Sequence, residues 1–121
     1  MDAQFFIKNL WRRSCGLPEI EEPKLPELEV LRESEWNPEF EQLMRNRLVM
    51  GAIRYGRIGE SNKPTYDRVS SAIARLEKYR TTGNTEFLVD VANLCLLEYA
   101  EGEHPKKHFR AIDDGEHAKV K

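Results

Sequence analysis

One segment constrains the fold more than any other: NTEFLVDVANLCLLEYA, residues 84–100. From Phe87 onward apolar side chains surround the helical axis on nearly every side, and such a helix is stable only when other helices cover it. It nevertheless carries a carboxylate at Asp90 and an amide at Asn93. Glu86, Asp90, Asn93 and Leu97 follow the spacing i, i+4, i+7, i+11, which puts the three polar groups on one face in successive turns. An unpaired carboxylate in an apolar setting is costly enough that the group takes up a proton or recruits a cation. Arg54, Arg57, Arg68, Arg75 and Lys63 are the basic residues available on neighbouring segments. Two readings follow. In one, an arginine pairs with Asp90 while the Asn93 amide bonds across the helices and fixes their register. In the other, Glu86 and Asp90 offer hard oxygen ligands to Mg²⁺ or Mn²⁺, which holds substrate phosphates while the arginines and Lys63 neutralise the remainder.

The covering helices are legible from their boundary signals. In NPEFEQLMRNRLVMGAIRYG, Asn37 is an N-cap, Pro38 takes the first helical position, Glu39 sits in the first turn and Gly56 ends the element. Phe40, Met44, Leu48, Ala52 and Tyr55 line one face with Leu43 and Met50 beside it, and Arg45 and Arg47 are expected to point elsewhere. RIGESNKP has loop composition and is placed to approach a ligand. TYDRVSSAIARLEKYRTTGN sets Tyr66, Val69, Ala72, Ile73, Leu76 and Tyr79 on one stripe, with Gly83 as a left-handed stop. Asn84 or Thr85 then caps the apolar helix, which runs to Glu101 before Gly102.

No strand alternation and no internal repeat occurs, so the expected class is all-α. The expected architecture is a small helical bundle of three main helices with an N-terminal amphipathic arm and a polar C-terminal tail. Residues 1–16 form the arm: Asp2 caps a short helix with Phe5, Phe6, Leu10 and Trp11 at helical spacings, stopped by Gly16. Residues 17–36 form a linker, expected to be extended because Pro18, Pro23 and Pro26 remove amide donors and restrict their predecessors. Residues 37–103 are the helical core domain. Residues 104–121 are the tail, expected to make a short docked turn with Phe109 and Ile112 as anchors before a frayed end. Three helices make a thin core for 121 residues, so a homo-oligomer is expected to cover the apolar helix, with the arm either packed on its own domain or exchanged between subunits.

Charge narrows the partners. Nineteen Lys and Arg nearly balance 21 Asp and Glu, a net charge of −2, so no general basic field exists to hold duplex nucleic acid. No apolar run approaches the roughly 20 residues of a spanning helix, and the opening segment lacks the pattern of a signal peptide, so no membrane partner and a cytoplasmic location are expected. Cys15 and Cys95 stand far apart without a CxxC pattern, and Cys95 is expected to be a buried reduced thiol. His104 and His108 are interrupted by Pro105 and are read as a chain turn with solvated imidazoles. Trp11 and Trp36 are read as packing anchors.

Three pieces in order, MGAIRYG closing a helix, YDRVSSAIARLEKYRTTGN as the next and EFLVDVANLCLLEY as the last, resemble the phage-encoded branch of the all-α, MazG-like nucleoside triphosphate pyrophosphohydrolases over residues 37–101. That family resembles a bundle in which a Glu-Glu-x-x-Glu helix and a later Glu-Glu-x-x-Asp helix bind magnesium and the triphosphate, usually between subunits. Glu86 and Asp90 match the first and last acids of the second motif, with Phe87 in place of the middle one. In the other helix Glu39 and Glu41 are present, but Leu43 and Arg45 stand where an acid one turn later would be. The resemblance implies Glu86 and Asp90 as catalytic and metal-binding residues, Glu41 as a third magnesium ligand, and Asn93, Arg54, Tyr55, Lys63, Arg68 and Arg75 as substrate-binding residues.

Three functions are therefore expected as alternatives. The first is Mg²⁺-dependent hydrolysis of a nucleoside triphosphate to the monophosphate and pyrophosphate. The second is a non-catalytic phage or prophage protein that sequesters a nucleotide signal or blocks a host protein, with Arg45, Arg47 and Arg54 meeting phosphates directly. The third is an interaction protein that grips a partner through the Phe5/Phe6/Trp11 arm.

Overall fold

The structure is a computed structural model that describes residues 3–18, 25–112 and 118–121, with side chains from residue 6 onward. Every regular element among the described residues is helical: α1 (Ala3–Ser14), α2 (Leu28–Ser34), α3 (Pro38–Tyr55), α4 (Arg68–Thr82) and α5 (Glu86–Glu101). None of these helices is long and apolar enough to cross a membrane. The chain divides into two units, Met1–Trp36 and Asn37–Lys121.

In the first unit, α1 ends at Ser14, just before the expected stop at Gly16, whose φ of 72° belongs to the left-handed region that glycine tolerates. Arg12 Nε donates to the Pro18 carbonyl at 2.7 Å and holds the chain after that stop. The expected cap at Asp2 lies outside the described residues. The segment read as extended contains a helix after Pro26, because Leu28–Ser34 has seven good or neutral helix formers and no proline. Phe6, Leu10 and Trp11 are all exposed, so Trp11 does not act as a packing anchor within this unit.

The second unit is built on α5. Asn37 caps α3 as read: its Oδ1 accepts from the Phe40 N–H at 2.8 Å, behind Pro38 at the first helical position. Asp67 caps α4, accepting from the Ser70 N–H at 3.0 Å and from the Ser70 hydroxyl at 2.7 Å. These bonds favour the ionised form and hold the Asp67 carboxyl below its ordinary range, the backbone bond contributing most. Tyr66, read as part of the α4 stripe, lies just before the helix. Gly83 closes α4 at φ 69°, and the chain turns at once into α5, where Asn84 Oδ1 accepts from the Glu86 N–H at 3.1 Å. Thr85 makes no side-chain cap.

Helices α3 and α4 each pack on α5 and do not pack on each other. A closed three-helix core would need that third contact. Without it, Val89 is the one buried apolar residue among those described. The α4 stripe remains largely in solvent: Val69, Ile73 and Leu76 are exposed, as are Leu43, Val49, Met50 and Ile53 on α3. Cys95 is exposed as well, contrary to its reading as a buried thiol, because it lies on a side of α5 that neither flanking helix covers. Trp36 is 58% exposed.

The tail docks by a different device from the expected one. Lys107 Nζ donates to the carbonyls of Tyr99 at 2.7 Å and Gly102 at 3.1 Å, a cation meeting free carbonyls at a helix C-terminus. Phe109 and Ile112, read as the anchors, are exposed. His104 forms a local turn, its Nδ1 accepting from the Lys106 N–H at 2.9 Å, in keeping with solvated imidazoles in a chain turn.

Candidate functional site

Because α3 and α4 flank α5 without meeting, they leave a cleft of about 680 Å³ between them, floored by the polar line of α5. Asp90, Asn93, Leu94, Leu97 and Glu101 form that floor. The residue spacing that put a charge and an amide on one face of an apolar helix thus serves a cavity wall, where polar groups need not be sealed in a core. The α3 wall runs from Arg47 to Tyr55, and the α4 wall supplies Arg68, Ser71 and Arg75. The loop after α3 closes one side with Arg57, Lys63 and Tyr66. Tyr55 and Tyr66 meet edge to face, with ring centroids 5.9 Å apart.

Six cationic side chains and two carboxylates line this cleft. Asp90 is inward-facing, its side chain 14% exposed, and two guanidiniums hold it. Arg75 Nη1 lies 3.2 Å from Oδ2, and Arg47 Nη2 donates to Oδ1 at 3.4 Å. Arg47 also reaches Glu86 Oε1 at 3.0 Å, so the two acids one turn apart share one cation. Arg75 belonged to the set expected to meet Asp90. Arg47 did not, and its orientation corrects the expectation that it points away. It stands three residues after Met44, one turn along from the contact with α5, and a long guanidinium side chain spans that distance.

The other expected partners of Asp90 are engaged elsewhere or not at all. Lys63 Nζ lies 2.9 Å from Glu101 Oε2 and donates to the Arg57 carbonyl at 2.6 Å. Arg68 approaches Glu101 at 3.6 Å and Glu98 at 3.9 Å. This half-buried cluster ties the loop and the start of α4 to the end of α5. The Lys63 ammonium, first among the causes, holds the Glu101 carboxyl below its ordinary range, with the Gly59 N–H and Arg68 adding to the effect against a smaller desolvation penalty. Arg54 and Arg57 make no ion pair among the described residues, although both line the cleft.

Gly56 joins wall to loop. At φ 99° it occupies a conformation other residues avoid, and a Cβ there would stand 2.6 Å from the Lys63 Cδ. A side chain at this position would force the Lys63 side chain to shift.

Asn93 is the most deeply placed polar residue of the cleft, 7% exposed. Its amide Nδ2 donates to the Met44 carbonyl on α3 at 3.0 Å. That bond fixes the amide's orientation, since the reverse orientation would set oxygen against oxygen. Its Oδ1 is buried and receives no hydrogen bond from the described residues.

Glu41, expected as a magnesium ligand, is paired with Arg45 at 3.0 Å along α3. Among the described residues no group of three or more His, Cys, Asp or Glu side chains stands together as a metal site. The residues expected to bind substrate, Asn93, Arg54, Tyr55, Lys63, Arg68 and Arg75, all line this cleft, joined by Arg47, Arg57 and Tyr66. Comparison with family models, curated proteins and solved structures finds no match to the chain.

Proposed function

We propose that this chain binds a nucleotide, or a nucleotide-derived signal, in the cleft between α3 and α4, as a MazG-like helical protein. The observation that carries the reading is the surplus of cations around one cavity. Arg54 and Arg57 have no acid partner among the described residues, while Asp90 and Glu101 neutralise only part of the remaining charge. A concentration of guanidiniums in a concave site suits the bidentate recognition of phosphate oxygens. The Tyr55–Tyr66 pair and the Leu94–Leu97 floor supply flat apolar surface for a base beside it. A nucleotide therefore matches the cleft at both its charged and its uncharged parts. The test is thermal denaturation against a panel of nucleoside mono-, di- and triphosphates: a bound ligand raises the melting temperature by mass action, and a flat response across the panel ends this reading.

Hydrolysis is the second reading, favoured by one observation: Glu86 and Asp90 converge on a single guanidinium, so their oxygens lie within reach of one cation. As the side chains stand, two carboxylates with Arg47 between them do not make a complete magnesium site. Mg²⁺ in nucleotide enzymes is held by one or two carboxylates plus substrate phosphates, and Glu86 and Asp90 meet that requirement if Arg47 moves onto phosphate. Bound there, the ion would supply Lewis-acid activation of water and phosphate. Release of pyrophosphate from a nucleoside triphosphate, dependent on Mg²⁺ and lost in Asp90→Asn, separates this reading from binding alone.

The assembly we propose is a homo-oligomer, with a cytoplasmic location. A second-unit core with one buried apolar side chain and exposed Val69, Ile73, Leu76 and Ile53 leaves more apolar surface in water than a monomer of this size sustains. Sedimentation at micromolar concentration tests it, and a monomer would count against it.

A further inference from the structure

We infer that Asn93 sets the specificity of the cleft, its Oδ1 accepting a hydrogen bond from an uncharged donor on the nucleoside part of the ligand, a ring amino group or a sugar hydroxyl. This rests on the nucleotide-binding reading and adds to it which chemistry is selected. Asn93 is 93% buried by its 7% exposure, lines the cleft, and has an oxygen without a partner. Its orientation is not free: the Met44 carbonyl takes the amide N–H, so the side chain presents acceptor character alone to anything that reaches it.

The missing partner is not a phosphate, because ionised phosphate oxygens are acceptors and would repel the amide oxygen. Nor is it one of the cleft's own cations in their present arrangement. Arg47 and Arg75 are spent on Asp90, Lys63 and Arg68 on Glu101, and neither Arg54 nor Arg57 donates to this oxygen. What remains is a neutral N–H or O–H from the ligand. The oxygen is closed to water, so reaching it requires a side-chain shift in the cleft wall. Arg47 and Arg75, more than a third exposed at their side chains, are the movable members of that wall. Phosphate competes with Asp90 for both of them. A ligand with phosphate and donor together therefore opens the approach and satisfies the acceptor, whereas one lacking the donor leaves a buried polar atom unpaired in the complex. Sites built to bond a substrate donor reject analogues lacking it far more strongly than apolar pockets discriminate by size.

The experiment is isothermal titration calorimetry on the full chain with ATP, CTP and inorganic triphosphate. The better-bound nucleotide is then compared with two analogues, one lacking the ring amino group and one lacking both sugar hydroxyls. We expect one analogue to bind about tenfold more weakly or worse, which identifies the donor as base or sugar. Asn93→Leu should erase that gap. Equal affinity for all three nucleotides overturns the inference while leaving nucleotide binding in place. A gap that survives Asn93→Leu overturns it too. If neither nucleotides nor inorganic triphosphate binds, the cleft is not an anion site and both ideas fall. Should Asn93→Leu not fold, the wild-type comparison decides alone.

Discussion

Asp90 and Asn93 lie one turn apart on the same face of α5, and the surrounding structure treats them in opposite ways. Asp90 is doubly satisfied, with a guanidinium on each carboxylate oxygen. Asn93 is satisfied on its nitrogen and left open on its oxygen. The charged group, whose isolation would cost most, is the one the fold completes for itself. The neutral group, whose orphaned acceptor costs on the order of 1–3 kcal/mol, is left incomplete. The contrast separates a polar group completed within the chain from one at a cavity floor whose buried acceptor the described residues leave open.

Substitutions at the two positions should differ in kind. The largest effect is expected from Asp90→Ala, which strands Arg47 and Arg75. We expect a loss of about 2 kcal/mol in urea denaturation, less than the ~3–5 for a fully buried pair because both arginines can rehydrate. A loss below a few tenths would show that Asp90 contributes little to stability and strengthen the case for a ligand role. Next, Arg54→Ala combined with Arg57→Ala should weaken triphosphate binding by about tenfold in calorimetry. Neither side chain has an ion-pair partner among the described residues, so the melting temperature should hardly move. Asn37→Ala, which removes the α3 cap at a distance from both positions, should cost about 1 kcal/mol and leave the selectivity between ligands as it was. Asn93→Leu should fall within about 1 kcal/mol of wild type, because losing the Met44 bond is offset by removing the orphaned oxygen.

The smallest effect is expected from acid titration. Glu101 and Asp67 both have carboxyls held below their ordinary ranges. Their contribution is present above the unfolded-state values of about 4 and is lost as pH falls through the lower folded-state values. Melting temperature should therefore decline as pH drops below about 4, and Glu101→Gln should flatten part of that slope.

The helix boundaries were legible in the sequence because each has a local chemical cause. Asn37–Pro38 opens α3, Gly56 ends it, and Gly83 with Asn84 turns α4 into α5. Most of the cleft was legible too, since the spacing of Asp90 and Asn93 along an apolar helix marks a face with a special environment. What failed depended on how helices associate. The stripe on α4 looks like a core face, yet it stays in solvent because within its unit α4 packs on α5 alone among the described helices. Arg47 eludes the sequence reading because the apolar residues Phe40, Met44 and Leu48 define the face, whereas Arg47, three residues after Met44, lies on its flank and is long enough to reach α5. Cys95 and the tail anchors Phe109 and Ile112 were assigned by hydrophobicity, which states a preference for burial and does not supply a neighbour.

The separation of α3 from α4 has a mechanical corollary. Each grips α5 along one seam, so the width of the gap between them can change by sliding either seam, without breaking any contact across the gap. The polar ties that resist such sliding include the Asn93–Met44 hydrogen bond and two ionic clusters, Arg47 and Arg75 drawn to one carboxylate and Lys63 and Arg68 drawn to another. If the proposed polyanion binds, it competes for these same cations, so occupancy and jaw width would be coupled through them.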